Sequence, residues 1–180
     1  EELQSLFDDV EVVDDEFNLE KAIKETIEPK VKTGQVWKLG EHKLLVGDST
    51  DSEMVGLLME NEKAHLVLCD SPYNIGISYN SGVTGGQNYG GSYSKKDDSK
   101  TDANFKEFLK KSMTVAKAYS TTNTHFFYWA DSQYIGMIQD LYKDLKVQYR
   151  RLCLWVKNNA NITNKIAFNK MHEVCLYGTI

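Results

Sequence analysis

The feature that most constrains the fold is a short apolar run, Leu66–Cys69, that ends abruptly at Asp70. Its apolar residues are consecutive rather than alternate, a pattern typical of a parallel strand that helices cover on both faces. A segment with helical spacing, residues 51–60, precedes the strand 65–69 and follows another short apolar segment, residues 44–47. Together the three segments predict a βαβ unit, expected to be right-handed.

Two carboxylates follow the two strands of this predicted unit, Asp48 after the first and Asp70 after the second. Parallel strands end at the same edge of a sheet, and that edge is where α/β folds bind ligands. We therefore expect both side chains at a ligand site, although Asp48 is equally suited to cap the helix at 51–60.

The remaining segments complete a predicted α/β fold with one domain, since 180 residues are enough for a single sizeable core. Spacing predicts a hairpin, two helices and three more strands: 36–39 with 42–46, helices 102–119 and 134–145, and strands 125–130, 147–156 and 173–177. Residues 1–33 are acidic with scattered apolar positions, and we expect a tail or linker there. Residues 74–101, rich in glycine and polar residues, are expected to form a mobile loop, either a lid or an insertion without a role.

The net charge of −5 conceals an uneven distribution of charge along the chain. Residues 1–30 carry eleven acidic residues and three lysines, whereas residues 31–180 carry 18 basic and 15 acidic residues. Residues 145–170 contain six basic residues and no acidic one. The acidic total therefore does not argue against a polyanionic partner.

Several classes of protein and site are disfavoured by the sequence. No apolar run approaches the length of a membrane span, and the first residues are acidic, unlike a signal peptide, so we expect a cytoplasmic protein without a membrane partner. The three cysteines, Cys69, Cys153 and Cys175, lie far apart within apolar runs, and we expect free, buried thiols. Because there is no Cys-x-x-Cys pair and no paired histidines, we expect no metal site.

One short motif connects this fold to a known chemistry. Residues 70–73, Asp-Ser-Pro-Tyr, resemble the Asp-Pro-Pro-Tyr signature of S-adenosylmethionine-dependent amino methyltransferases of DNA. Three further segments are similar, in the same order, to segments of phage and prophage DNA modification methylases: residues 35–51, 155–158 and 172–178. The resemblance covers about residues 34–178 and implies a Rossmann-like methyltransferase sheet, mostly parallel with an antiparallel C-terminal pair.

The resemblance implies a site-specific DNA methyltransferase that transfers a methyl group from S-adenosylmethionine to the exocyclic N6 of adenine, as part of phage or restriction-modification systems. The same turn also serves N4 of cytosine, and the spacing in this chain does not separate the two amines. Protein-glutamine methyltransferases use a similar turn, but with the cofactor loop upstream, where this chain has an acidic segment. A non-catalytic DNA-binding or assembly module with an incomplete site is the alternative from another class.

The turn has a physical rationale that does not depend on the resemblance. An exocyclic amine is a poor nucleophile because its lone pair is delocalised into the ring, and acceptors held against its N–H groups free that lone pair. The Asp70 carboxylate supplies one acceptor and the Ser71 carbonyl another, while Pro72 fixes φ and keeps the carbonyls aimed. Tyr73 offers an aromatic face on which a flipped-out base can stack. The alternative is a plain β-turn, since Asp, Ser and Pro are ordinary turn residues.

The resemblance and the charge pattern together predict the other site residues. Ser71 stands where the family has its first proline, so the turn keeps its carbonyl but loses one restraint on φ. With Asp48 and Asp70, it is expected to contact the cofactor. Seven residues are expected to contact the base or the DNA: Tyr73, Asn74, Trp155, Lys157, Arg150, Arg151 and Lys165. Trp155 could equally be a core residue and Lys157 a surface residue. The basic residues could equally form a solvated face.

The family's glycine-rich cofactor loop, Phe-x-Gly-x-Gly, has no counterpart in this sequence, which ends at Ile180. In the permuted subgroup that this chain resembles, that loop follows the catalytic turn, so the resemblance implies a partial catalytic domain over residues 34–180. We expect a missing C-terminal half or a homodimer partner to complete it. We also expect weak cofactor binding and little or no methyl transfer by this polypeptide alone.

Overall fold

The computed structural model describes residues 31–75, 99–161 and 170–180, and for residues 159–161 it describes the backbone alone. Six strands, three α-helices and one 3-10 turn lie within these ranges: β1 Val36–Leu39, β2 His42–Leu45, α1 Ser52–Met59, β3 Ala64–Asp70, α2 Asp102–Ala118, β4 Ser120–Ala130, the 3-10 turn Ser132–Tyr134, α3 Ile135–Asp144, β5 Gln148–Asn161 and β6 Lys170–Thr179. The predicted hairpin, helices and strands are therefore confirmed, with ends that differ by a few residues.

Four strands form the main sheet, in the order β3–β4–β6–β5. β3 and β4 are parallel, and β6 runs antiparallel to both of its neighbours, β4 and β5. Three strands therefore point in one direction and one in the other, which confirms a mixed α/β sheet that is mostly parallel with an antiparallel C-terminal pair. The sequence pattern did not indicate that β6 lies between β4 and β5.

The predicted βαβ unit is wrong, because β2 does not join the main sheet. It pairs with β1 in a separate two-stranded hairpin, whose register places Leu39 opposite His42. Gly40 has φ +63°, a left-handed conformation that glycine adopts without strain and that the tight turn requires. Pairing across two residues costs little loop entropy, whereas pairing β2 with β3 requires closing a longer loop through α1. Within the described residues, β4 is the only strand paired with β3.

The hydrophobic core lies between one face of the main sheet and the helices α2 and α3. Alternate strand residues and one stripe of each helix point into it, as the periods of strands and helices require. Its fully buried members are Phe105, Leu109 and Met113 of α2, Ile138, Leu141 and Tyr142 of α3, Phe126 and Tyr128 of β4, and Leu176 of β6. This packing fixes the positions at which β3, β4 and β6 end.

The opposite face of the sheet carries exposed apolar side chains. Leu66 and Leu68 of β3 are 56% and 66% exposed, whereas Val67 and Cys69 pack against the core. The prediction that this strand is buried on both faces is therefore wrong for the described residues, because α2 and α3 pack on the same face. Since side chains alternate along a strand, Asp70 lies on the same face as Leu66 and Leu68.

Three predictions fall wholly or mainly outside the described residues: the acidic tail at 1–33, the mobile loop at 74–101 and the DNA contact of Lys165. No helix in the described ranges is long and apolar enough to cross a membrane. The three cysteines are unpaired thiols, as expected, but only Cys175 is fully buried, whereas Cys69 and Cys153 are partly exposed.

Candidate active site

The turn that follows β3 is tied to the neighbouring strand by the side chain of Ser71. Its hydroxyl donates a hydrogen bond of 2.9 Å to the backbone carbonyl of Trp129, and Ser71 is only 5% exposed. The parallel register pairs Trp129 with Asp70, so this bond joins β3 and β4 at their carboxyl ends. It restrains the turn at the position where the related signature has a proline.

Asn74 ends the turn in a left-handed conformation, with φ +54°, which asparagine tolerates better than most residues. Its amide nitrogen donates to the Tyr134 hydroxyl at 2.9 Å and to the Lys100 carbonyl at 3.0 Å. Its Oδ1 accepts a hydrogen bond of 2.6 Å from the Lys100 backbone N–H. This buried side chain therefore links the turn to Lys100 and to the core, and its contact with a base remains a prediction.

Tyr73 reaches across to β6, where its hydroxyl donates a hydrogen bond of 3.0 Å to Oε2 of Glu173. The other carboxylate oxygen, Oε1, accepts a hydrogen bond from Nζ of Lys157 on β5. The antiparallel register places Glu173 directly opposite Trp155, so β5 and β6 bring Trp155, Lys157 and Glu173 together. The structure thus unites three predicted site residues, Tyr73, Trp155 and Lys157, around an acidic residue.

Tyr73, Trp155 and Glu173 border a cleft of about 340 Å³ on the exposed face of the sheet. Six side chains line it: Leu68, Asp70, Tyr73, Trp129, Trp155 and Glu173. The two tryptophan rings meet edge to face, with centroids 6.3 Å apart and planes at 79°. Carboxylate oxygens and aromatic faces therefore share one concavity, whose volume is at the lower end of the range for ligand sites.

The ionisation of the Tyr73–Glu173–Lys157 group follows from its burial and its hydrogen bonds. Burial raises the pKa of Tyr73, and the bond to Glu173 and the nearby Asp70 charge raise it further, so the phenol stays protonated and donates. Burial alone would raise the pKa of Glu173. The hydrogen bonds from Lys157 and Tyr73 outweigh burial and hold that pKa below its ordinary value, so Glu173 is ionised at neutral pH.

A second ion pair joins β6 to the end of β4. Nζ of Lys170 lies 2.6 Å from Oδ2 of Asp131, and the other oxygen, Oδ1, accepts a hydrogen bond of 3.0 Å from the backbone N–H of Gln133. Burial would raise the pKa of Asp131, but these partners lower it. Lys170 belongs to residues 145–170, which include no acidic residue, and its ion-pair partner Asp131 therefore comes from another part of the chain.

Asp48 lies in the loop between β2 and α1, and its side chain serves the local backbone. Its Oδ1 accepts hydrogen bonds of 2.8 Å from both the backbone N–H and the hydroxyl of Thr50, which lower its pKa. The alternative role of Asp48 as the helix cap is wrong. Asp51, one of three residues in the sequence suited to cap this helix with Ser49 and Thr50, caps α1 through the backbone N–H groups of Glu53 and Met54. Because β2 is not in the main sheet, strand pairing does not place Asp48 beside the end of β3.

The two arginines lie on β5, nearer its start than the cleft residues. Arg151 pairs with Tyr177, and its Cα lies about 13 Å along the strand from that of Trp155, as four residues of extended chain span. The Nε of Arg150 donates to the hydroxyl of Thr179 at 2.9 Å. Both arginines are exposed and neither lines the cleft, so their contact with DNA remains a prediction.

Sequence reasoning missed three cleft residues, Glu173, Trp129 and Leu68. Glu173 stands in the segment 172–178 that carries part of the resemblance, and a signal was therefore present. Trp129 follows from the register only, because it is the β4 partner of the strand end that carries Asp70. Leu68 looked like a core residue, since the chain alone does not show which face of β3 the helices leave exposed.

Among known proteins, similarity to this chain is found in solved structures. No protein-family model matches the chain, and no curated protein matches it. Among solved structures, it is similar to a crystal structure of M1.HpyAVI, with 16% identity and a TM-score of 0.48 over 73% of this chain and 53% of that chain. It is also similar to the M1.HpyAVI–SAM complex, with 14% identity and a TM-score of 0.46 over 73% of this chain and 51% of that chain. The chain therefore spans about half the length of these solved structures.

Proposed function

We propose that this chain carries the catalytic turn of an S-adenosylmethionine-dependent DNA methyltransferase that methylates the exocyclic N6 of adenine, in a phage or restriction-modification setting. The observation that carries the proposal is the position of residues 70–73. Asp70 ends β3 and, together with Tyr73, lines a cleft that combines a carboxylate with three aromatic side chains. The Asp-Ser-Pro-Tyr sequence of this turn supports the same chemistry.

The cleft suits one planar base that has left the helical stack. Tyr73, Trp129 and Trp155 supply aromatic faces and edges, on which a base stacks irrespective of its sequence context. The Asp70 carboxylate accepts a hydrogen bond from one amine N–H, and the Ser71 carbonyl is the proposed acceptor for the other. Both interactions strengthen as the nitrogen becomes pyramidal, and they therefore favour the transition state over the ground state.

The proposed cofactor is S-adenosylmethionine, whose sulfonium would supply an electrophilic methyl group at the margin of this cleft, beside the base. Aromatic faces and carboxylates are groups that attract a cation, and the cleft holds both, so its donor set fits a sulfonium. Asp70 and the backbone of Ser71 are the residues proposed to hold it, with Asp48 as a further candidate. The Ser71 hydroxyl already donates to Trp129, so its proposed contribution is limited to the backbone.

Two other functions are consistent with particular observations. The exocyclic amine of cytosine presents the same N–H groups to Asp70, so N4 methylation of cytosine is the alternative reaction. The exposed Leu66 and Leu68 lie on β3, which pairs on one side only among the described strands, and they favour a non-catalytic DNA-binding or assembly module whose partner covers that face.

The test combines a binding measurement with a product analysis. Calorimetric titration with S-adenosylmethionine is followed by single-turnover transfer of a tritiated methyl group to mixed-sequence DNA, with excess protein. Because weak cofactor binding and little transfer are expected of this polypeptide alone, we expect a weak but saturable heat and a small amount of labelled N6-methyladenine that Asp70→Ala does not produce. Labelled N4-methylcytosine would instead support methylation of the exocyclic amine of cytosine. The absence of both a binding heat and a labelled nucleoside would contradict the proposal and favour the non-catalytic module.

A further inference from the structure

Glu173 connects parts of the chain that are far apart in sequence. Its Oε2 accepts from the hydroxyl of Tyr73, 100 residues away, and its Oε1 accepts from Lys157, 16 residues away. The carboxylate therefore bridges the turn after β3 and the strands β5 and β6. Both of its oxygens have a partner, so it is poorly placed to act as a proton acceptor for a ligand.

The Glu173 carboxylate also affects the position of Trp155, because it pairs with Lys157 beside that ring. Nζ of Lys157 lies 5.1 Å from the centre of the Trp155 ring, within the range of a cation–π interaction. The side chains of Lys157 and Glu173 are 29% and 23% exposed, so solvent screens their attraction only in part. Glu173 thus fixes Tyr73 directly and holds the ammonium group that lies over Trp155.

We propose that Glu173 is a positioning residue that assembles the aromatic walls of the cleft before a ligand binds. The proposal deepens the proposed function and rests on it for the nature of the ligand, a planar nucleic-acid base. Held side chains lose less rotational freedom on binding than free ones, so an assembled wall binds a flat ligand more tightly. Glu173 acts through Tyr73 and Lys157, and no direct contact with the reacting atoms is assigned to it.

The charges around the cleft agree with this role. Asp70 is the other carboxylate that lines it, and two uncompensated carboxylates at one cleft would repel each other. The Lys157 ammonium compensates Glu173, whereas Asp70 lines the cleft and also interacts with the Tyr73 hydroxyl. The proposed division of tasks assigns structure to Glu173 and the amine to Asp70.

Four variants separate this role from general stability. Glu173→Ala removes both bonds, whereas Glu173→Gln keeps an oxygen that can accept from Tyr73. Tyr73→Phe removes only the hydroxyl and identifies the Tyr73 signal in spectra. Lys157→Met removes the ammonium group while keeping an unbranched apolar side chain.

The first measurement uses no ligand. The full chain is labelled with 3-fluorotyrosine, and the signal lost in Tyr73→Phe is assigned to Tyr73 among the ten tyrosines. We expect Glu173→Ala to shift or broaden that signal, Glu173→Gln to restore it towards the wild-type position, and the other nine signals to stay in place. A Tyr73 signal that is the same in Glu173→Ala as in the wild type would overturn the proposal.

The second measurement adds a single-stranded oligonucleotide that contains 2-aminopurine. We expect Glu173→Ala to weaken binding about tenfold, Glu173→Gln and Lys157→Met to weaken it less, and the double variant Glu173→Ala with Tyr73→Phe to add little to Glu173→Ala. Equal binding by wild type and Glu173→Ala would overturn the positioning role. A wild-type chain that binds no oligonucleotide would instead overturn the proposed function, and the fluorine signal alone would then decide the role of Glu173.

Discussion

The Ser71 hydroxyl and the Trp129 carbonyl, 2.9 Å apart, hold the candidate catalytic turn against the strand that supplies one wall of the cleft. The two residues are 58 positions apart in sequence and belong to parallel neighbours in the sheet. A serine thus restrains by hydrogen bonding a turn that a proline would restrain by its ring.

Replacing Ser71 by alanine removes this bond from a nearly buried position. We expect a loss of about 1 kcal/mol in the free energy of unfolding, since that is the usual net value of one hydrogen bond. Urea denaturation measures it, and Ser52→Ala, at an exposed position on α1, serves as the matched control. Equal stability of the two variants would show that the Ser71 hydroxyl does not restrain the turn.

Replacing Asp70 by alanine tests the proposed role of the exposed carboxylate. We expect the small single-turnover methyl transfer of this polypeptide to be abolished, because a positioned acceptor for the amine is lost. DNA affinity should change by less than about twofold. Asp140→Ala, an exposed carboxylate on α3, is the control and should leave both quantities unchanged. A parallel loss of transfer and DNA binding in Asp70→Ala would indicate a structural role.

The Glu173 ion pair predicts a particular dependence of stability on pH. Its folded-state pKa lies below the ordinary value of 4.5, so on acidification the unfolded chain binds the proton first. The pair therefore contributes fully above about pH 5 and loses its contribution as the pH falls through the lowered pKa. Urea unfolding from pH 7 to pH 3 should show the wild type losing its advantage over Glu173→Gln in this window.

The exposed Glu62 supplies the control for the pH experiment. The same unfolding measurements are made on Glu62→Gln, which removes an exposed carboxylate outside the ion pair. If the Glu173→Gln and Glu62→Gln curves differ from the wild type in the same way across this range of pH, the ion pair does not contribute to stability in solution.

The cysteines predict a pattern of chemical reactivity. Burial raises the pKa of Cys69 to about 11 and that of Cys175 to about 12. At pH 8 only about one Cys69 thiol in a thousand is then ionised, and the thiolate is the reactive form. In the Cys153→Ser variant, we expect a disulfide reagent such as DTNB to react slowly with the native protein and rapidly after addition of urea. Rapid reaction of the native variant would contradict the burial of Cys175 and the raised pKa of Cys69.

Local patterns in the sequence were sufficient to predict the individual helices and strands. The helix predicted at 102–119 is α2, because its apolar residues recur with a strong helical period. The short run at 44–47 was misassigned to the main sheet, since a few apolar residues suit a hairpin strand and a parallel strand equally well. In that case the turn at Gly40 decides the pairing, and the apolar pattern does not.

The candidate site was predictable only at the turn itself. Residues 70–73 carry their chemistry in four consecutive positions, whereas Glu173 reaches Tyr73 across 100 residues. That contact depends on β6 lying between β4 and β5, a pairing for which the strand sequences give no signal. Nonlocal register is therefore the physical reason that Glu173 and Trp129 were missed.

The bonds between Asn74 and Lys100 have a consequence for engineering this chain. They hold the two ends of the intervening stretch together at a fixed, partly buried point. One side chain thus fixes residue 74 against residue 100, so a substitution of Asn74 acts at both positions at once. An engineered variant of this chain should therefore keep Asn74, whatever else it changes.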